Sequence, residues 1–304
     1  MDEDELERIF RTRVLRSPGL ARARPAHDPT VVFAAGAPGA GKSTRLTEIR
    51  TAVELTARTV AVIDADDFRK YDPDYRRLQR IDPRSAADAR HHVAARWADL
   101  AIGHAIRSRW SAVVSCTLGS AAVAEEKIGR FLAAGYRVFV AFGTTHEALS
   151  RLGILRRFYT ALDDGDANVR FVPSDVHRAC YDGLLGTASW LDAQVDRGVP
   201  IGSLVWSREK EPELVDGGVW SRLIWERDMP WVRSTIVDFL EDAERVEAFL
   251  RKVEREAAAD DLLELGRLTR TLVTAHACVP RHGRQAPPVP VAAPLPGPTG
   301  PGAG

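Results

Sequence analysis

Gly36-Ala37-Pro38-Gly39-Ala40-Gly41-Lys42-Ser43 fits the pattern G-x-x-x-x-G-K-[ST] at every fixed position. Its glycines let the backbone curl until successive N–H groups point at phosphate oxygens. The positive end of a following helix adds to that field. Gly36, Ala37, Pro38, Gly39, Ala40, Gly41, Lys42, Ser43 and Thr44 are therefore expected to hold a nucleoside triphosphate. Lys42 can reach the β- and γ-phosphates, and the Ser43 hydroxyl can ligate Mg²⁺. A second group, Asp64, Asp66 and Asp67, follows a short apolar run. Phosphoryl transfer needs a carboxylate beside the γ-phosphate to orient a hydroxyl and take its proton. Asp64 or Asp67 can equally cap the next turn. Arg157 and Arg170 flank an acidic turn at 163–166. Guanidinium groups aimed at a transferring phosphoryl spread its charge, whereas arginines in general lie solvated on the surface.

These residues need a scaffold that brings strand ends together. Apolar runs at 30–35, 59–63, 112–116, 136–142 and 203–206 read as buried strands. Helical patterns fall at 44–57, from Ser85 to about Arg109, at 121–134, 147–162 and 174–195. Tyr71 to Pro83, with two prolines and many charges, reads as a loop. Strands alternating with helices predict an α/β fold, a mostly parallel sheet covered on both faces. Ligands in such sheets sit beyond the carboxyl ends of the strands, where the phosphate loop and Asp64–Asp67 both fall.

The chain divides into an N-terminal helix and linker (1–29), a core (30–207), a C-terminal helical extension (208–275) and a Pro/Gly-rich tail (276–304) expected to be disordered. Helix 2–16 is amphipathic, and residues 229–274 read as one or two helices. Lys+Arg and Asp+Glu are both 42, so no net charge favours a nucleic-acid or membrane surface. Three widely spaced cysteines argue against a disulfide framework or zinc site. The acidic start is unlike a signal peptide, and a cytoplasmic protein is expected. His91, His92 and His104 lack metal-ligand spacing and read as surface or packing residues. The tryptophans at 190, 206, 220, 225 and 231 read as packing the C-terminal helices on the sheet.

From Val31 to Trp206 the order of motifs resembles the zeta toxin family of P-loop kinases. Beyond the phosphate loop, Ile63-Asp64-Ala65-Asp66-Asp67-Phe68-Arg69 and Tyr71-Asp72-Pro73-Asp74-Tyr75 are similar to its D-x-D-x-F-[KR] segment and the motif after it. The helix with Trp97 and Asp99 is similar to its substrate-binding helix. Arg156-Arg157-Phe158-Tyr159 resembles its E-R-Y segment, and Arg170 to His177 its R-x-x-P-x-x-x-H segment. The resemblance implies a kinase acting on a hydroxyl of UDP-N-acetylglucosamine with ATP and Mg²⁺. It makes Asp66 the general base and Arg157 and Arg170 the charge-stabilising pair. It puts Asp64, Arg69, Asp99 and Thr117 on the substrate side. It also implies a small antitoxin partner, for which helix 2–16 offers a docking surface. Three positions depart from the pattern. Ser115-Cys116-Thr117 replaces Glu-Gly-Thr, and Gly119 stands where many members place arginine. A carboxylate and a guanidinium are thus missing on the acceptor side. Two rivals follow: the same chemistry on an antibiotic, nucleoside or dinucleotide, or a nucleotide-binding module without transfer.

Overall fold

The computed structural model describes residues 1–55, 58–166, 170–252 and 256–276. Among the described residues six strands form one sheet: β1 (Thr30–Ala35), β2 (Ala61–Asp64), β3 (Ala112–Cys116), β4 (Arg137–Gly143), β5 (Ile201–Trp206) and β6 (Glu213–Val215). Their order is β2-β3-β1-β4-β5-β6, with β1 to β5 parallel and β6 antiparallel to β5. The helices are α1 (Glu3–Thr12), α2 (Lys42–Ala52), α3 (Ala65–Phe68), α4 (Pro73–Ile81), α5 (Ala86–Ala89), α6 (His91–Arg107), α7 (Ala121–Ala133), α8 (Glu147–Asp163), α9 (Ser174–Asp196), α10 (Val219–Arg227), α11 (Arg233–Lys252) and α12 (Glu256–His276).

β1 is buried at every residue, as a parallel strand with both faces covered must be. Its alternation splits the core into two layers. Val31, Phe33 and Ala35 join Trp97 of α6, Phe131 of α7 and Leu184 of α9. Val32 and Ala34 join Ile49 of α2 and Trp206 of β5. The chain leaves β1 for β2 on one side and later places β4 on the other, so β1 lies at the point where strand order reverses. A crevice opens there at the strand ends. A third cluster joins α8, α11 and α12 through Phe158, Tyr159, Phe239, Val246 and Leu265. Arg84 ties α12 down with both oxygens of buried Asp261, at 2.7 and 2.8 Å.

Several expectations need correction. The stretch 71–83 is not a loop, because α4 fills most of it. The Asp72 carboxylate accepts from the Asp74 N–H at 3.0 Å, and Pro73 occupies the first turn, where its missing N–H costs nothing. Pro83 falls after the helix has ended. The helix expected from Ser85 to Arg109 breaks at Arg90, whose guanidinium turns inward to Asp72 at 2.7 Å. Ser85 makes no side-chain cap bond. α2 stops at Ala52, before Glu54 at φ 61°. The sheet continues past 207 through β6, and a further helix, α10, precedes 229.

The N-terminal segment is helical to Thr12 and ends in a single 3₁₀ turn, Val14–Arg16. It packs on the core through Leu6, Ile9 and Phe10. Trp97 donates its indole N–H to the Leu6 carbonyl at 3.0 Å. Trp231 packs at a tilt on Phe239 and edge-on against His146, as expected of a packing tryptophan, while Trp220 stays exposed. The tail beyond residue 276 lies outside the described residues. Among the described residues no helix is long and apolar enough to cross a membrane.

Candidate active site

The phosphate loop leaves β1 at Gly36 and turns through Gly39 (φ 76°) and Gly41 (φ 97°), both left-handed. A Cβ on Gly39 would sit 2.0 Å from the Ser150 carbonyl oxygen, so only glycine fits beneath α8. Ser150 is itself held from behind. Its hydroxyl meets His177 Nε2 at 2.8 Å, and burial pushes that imidazole down to about 4. α2 starts at Lys42 directly from the loop, so its first N–H groups face the crevice. Lys42 Nζ donates to the carbonyls of Gly36 at 2.7 Å and Ala37 at 3.1 Å. Burial first, then the charge of Arg170, lower its pKa to about 8. Ser43 and Thr44 are exposed in the first turn, and Thr44 Oγ1 donates back to Gly41 at 2.6 Å.

Asp64 ends β2 beside Ser115 of β3. Its carboxylate accepts from the Asp66 N–H at 2.9 Å and so caps α3. That cap turns Asp66 back over the strand ends. Asp66 pairs with Arg170 and, at 3.2 Å, with Arg69. Asp67 points outward, its carboxyl raised by partial burial and by Asp64. A cavity of about 1170 Å³ joins these parts. Lys42, Ser43, Asp64, Asp66, Arg157 and Arg170 all line it. Desolvation at the cavity wall lowers the pKa of half-buried Arg170 and of Arg157, whose side chain still reaches the solvent. Among the described residues no three His, Cys, Asp or Glu side chains form a metal cluster. A magnesium site built on phosphates needs only one or two hard oxygen ligands from protein, and Ser43 and Asp64 suit that requirement.

Residues 19–211 match the zeta toxin family profile. The chain belongs to the zeta toxin family. One similar structure, from the PezAT chromosomal toxin-antitoxin system of Streptococcus pneumoniae, is 17% identical with a TM-score of 0.61, covering 83% of this chain and 96% of that one. An AvrRxo1-ORF1:-ORF2 complex is 14% identical with a TM-score of 0.50, covering 90% of this chain and 87% of that one. These likenesses show the P-loop kinase-like fold. No curated protein matches the chain.

Three residues expected on the substrate side of this zeta toxin family site do not line the cavity. Asp99 lies on α6 two positions past buried Trp97 and therefore faces away from that side of the helix. It pairs with Arg130 of α7 and, at 3.4 Å, with Arg96, which also holds Glu3 of α1. Thr117 is half-buried just past β3. Arg69 is buried behind Asp66, with His91 Nδ1 3.3 Å from its Nη2. Ser115 does line the cavity, while the thiol of the neighbouring half-buried Cys116 is desolvated and pushed up to about 12. Gly119 has a packing reason. A Cβ there would meet the Cα of Cys180 at 3.0 Å, and one on Gly183 would meet the Gly119 carbonyl at 2.0 Å. α9 thus rests directly on this turn, and an arginine would have to displace it.

Sequence reasoning missed Arg208, Arg156, Arg245 and Phe249, which all line the cavity. Arg208 donates to the carbonyls of Gly39 at 2.8 Å and Leu149 at 3.1 Å, bracing the loop against α8. Its place just past β5, at another strand's carboxyl end, was an available signal. Arg245 and Phe249 carried none, because α11 is remote in sequence from every motif.

Proposed function

We propose that this zeta toxin family member is a kinase. It transfers the γ-phosphoryl of ATP to a hydroxyl of a small acceptor, with a nucleotide sugar such as UDP-N-acetylglucosamine as the family's default. One observation carries this reading: Asp66, held between Arg170 and Arg69, opens onto the same cavity as Lys42 of the phosphate loop. Asp66 takes the proton of the attacking hydroxyl as its oxygen bonds to the γ-phosphorus. The bond from that phosphorus to the β-phosphate oxygen breaks, and ADP leaves. Lys42, Arg157 and Arg170 supply positive charge where the transferring group and leaving oxygen become negative. Ser43 and Asp64 would hold Mg²⁺, which supplies further charge neutralisation when bound. The buried Arg69 fixes Asp66 rather than touching the acceptor.

Ser115 favours a second reading of the acceptor. A hydroxyl stands where the family pattern has a carboxylate, so the cavity has lost a charged acceptor for sugar hydroxyls. An antibiotic, nucleoside or dinucleotide is then the alternative. The PezAT relative comes from a toxin-antitoxin system, which supports an antitoxin partner here too. α1 buries one face and leaves Asp4, Glu7, Arg8 and Arg11 exposed on the other, a surface for docking. ATP chemistry of this kind suits the cytoplasm. Incubation with γ-labelled ATP and a metabolite panel tests the proposal. Label should move to one hydroxyl-bearing acceptor. Tight ATP binding with no labelled product from any acceptor would leave a binding module and reject the kinase.

A further inference from the structure

α8 presents two consecutive arginines to the cavity in different directions, since neighbouring helical residues point about 100° apart. Arg157 faces the acceptor end, where Asp64 and Arg69 act on it electrostatically. Arg156 faces the other way, toward Asp242 of α11 at 3.4 Å and toward Arg208. Arg208 in turn sits over the phosphate loop, on the Gly39 carbonyl, and its own carbonyl accepts from Arg45 of α2 at 2.5 Å. A triphosphate whose terminal group points at Asp66 and Arg170 must leave its nucleoside on the side away from them. Arg208 and Arg156 line the cavity beside the phosphate loop, together with Arg245, Val246 and Phe249 of α11.

We infer that α11, outside the family-matched residues 19–211, completes the donor site by holding the nucleoside of ATP, with the base against Phe249 and the guanidinium of Arg245 at its edge. This rests on the kinase reading above. Phe249 is half-buried, its ring fixed 5.2 Å from that of Tyr159 on α8. The tilted contact fixes the ring, and Phe249 and Tyr159 both border the cavity, where an aromatic surface can stack a base. Arg245 pairs with Glu241 and Asp242 of its own helix only at 3.3 Å, and it is exposed. Such surface pairs hold a side chain weakly, so Arg245 is free to turn to a ligand. α11 is not a detached appendage. Val246 and Leu250 are buried with Phe158 and Tyr159 in one apolar cluster, which fixes the wall relative to α8.

The test compares ATP with inorganic triphosphate, which has the same phosphates and no nucleoside, by titration calorimetry on the full chain. Phe249→Ala should weaken ATP binding by about 5- to 150-fold, the worth of one stacked base. Triphosphate binding should be unchanged. Arg245→Ala, at an exposed position that cannot unfold the protein, should weaken ATP in the same selective way, and Phe249→Trp should retain it. Unchanged ATP affinity in both alanine variants would overturn the inference, as would equal weakening of ATP and triphosphate. Wild-type protein that binds neither ligand would instead remove the nucleotide reading on which the inference stands. Wild-type protein that binds both, with no selective loss in the variants, would remove the inference alone.

Discussion

Replacing Asp66 by asparagine keeps the side chain's size and removes its charge and its ability to take a proton. The structural cost follows from its two partners. Arg69 is 6% exposed and Arg170 21%, and both lose their ion-pair partner. Stripping one partner from a fully buried pair costs about 3 to 5 kcal/mol, but Asp66 is 37% exposed and water screens the site. A loss of about 1 to 2 kcal/mol is therefore expected, a fall of a few degrees in Tm. The catalytic cost is larger. A positioned base is worth about 10² to 10⁴ in kcat, or about 3 to 5.5 kcal/mol of transition-state stabilisation. ATP affinity should hold or rise, because the substitution removes a negative charge facing the phosphates. Scanning fluorimetry gives the Tm, calorimetry the affinity, and a coupled ADP-release assay the turnover. A folded Asp66→Asn protein that turns over at the wild-type rate refutes the assignment, whatever its Tm.

Arg157→Ala should lower kcat by about 10³ while KM for ATP changes little, since its charge is needed mainly as the phosphoryl group transfers; steady-state kinetics separates the two. Gly39→Ala should cost about 2 kcal/mol or more from the left-handed backbone alone, and its Cβ would drive the loop off the Ser150 carbonyl. Thermal denaturation should show the loss, and ATP binding should disappear. The pKa of Lys42, about 8, makes ATP binding pH-dependent. The ammonium dominates below that value and is lost above it, so ATP affinity should fall about tenfold between about pH 7 and 9, with a proton taken up on binding at the higher pH. For stability the sign is opposite: above about pH 8 the folded state binds fewer protons at Lys42 than the unfolded chain, so this group favours folding as pH rises toward the ordinary lysine value. Calorimetry in buffers of different ionisation enthalpy reads the proton uptake.

The parts legible in the sequence are those where local chemistry leaves the backbone little choice. The phosphate loop demands glycine at Gly39 and Gly41, and both adopt the left-handed conformations that exclude other residues. The buried runs of β1, β3 and β4 show their burial in their own composition. Asp64 was open between a cap and a place in the cleft, and it takes both: its carboxylate caps α3 and lines the cavity. α4 was hidden because proline reads as a breaker until the capping aspartate before it is weighed. Asp99 does not line the cavity, and its carboxylate is engaged by Arg96 of its own helix and by Arg130 of α7. No local pattern reports such a meeting. The same holds for Phe249 and Arg245, which reach the cavity through packing of α11 on α8.

The central claim is that Asp66 and the phosphate loop together move a phosphoryl group onto an acceptor hydroxyl. Mass spectrometry of UDP-N-acetylglucosamine incubated with ATP, Mg²⁺ and the protein tests it most directly. The account predicts an acceptor heavier by one phosphoryl group with wild-type protein, and almost none with Asp66→Asn. An acceptor phosphorylated equally by both proteins would contradict it.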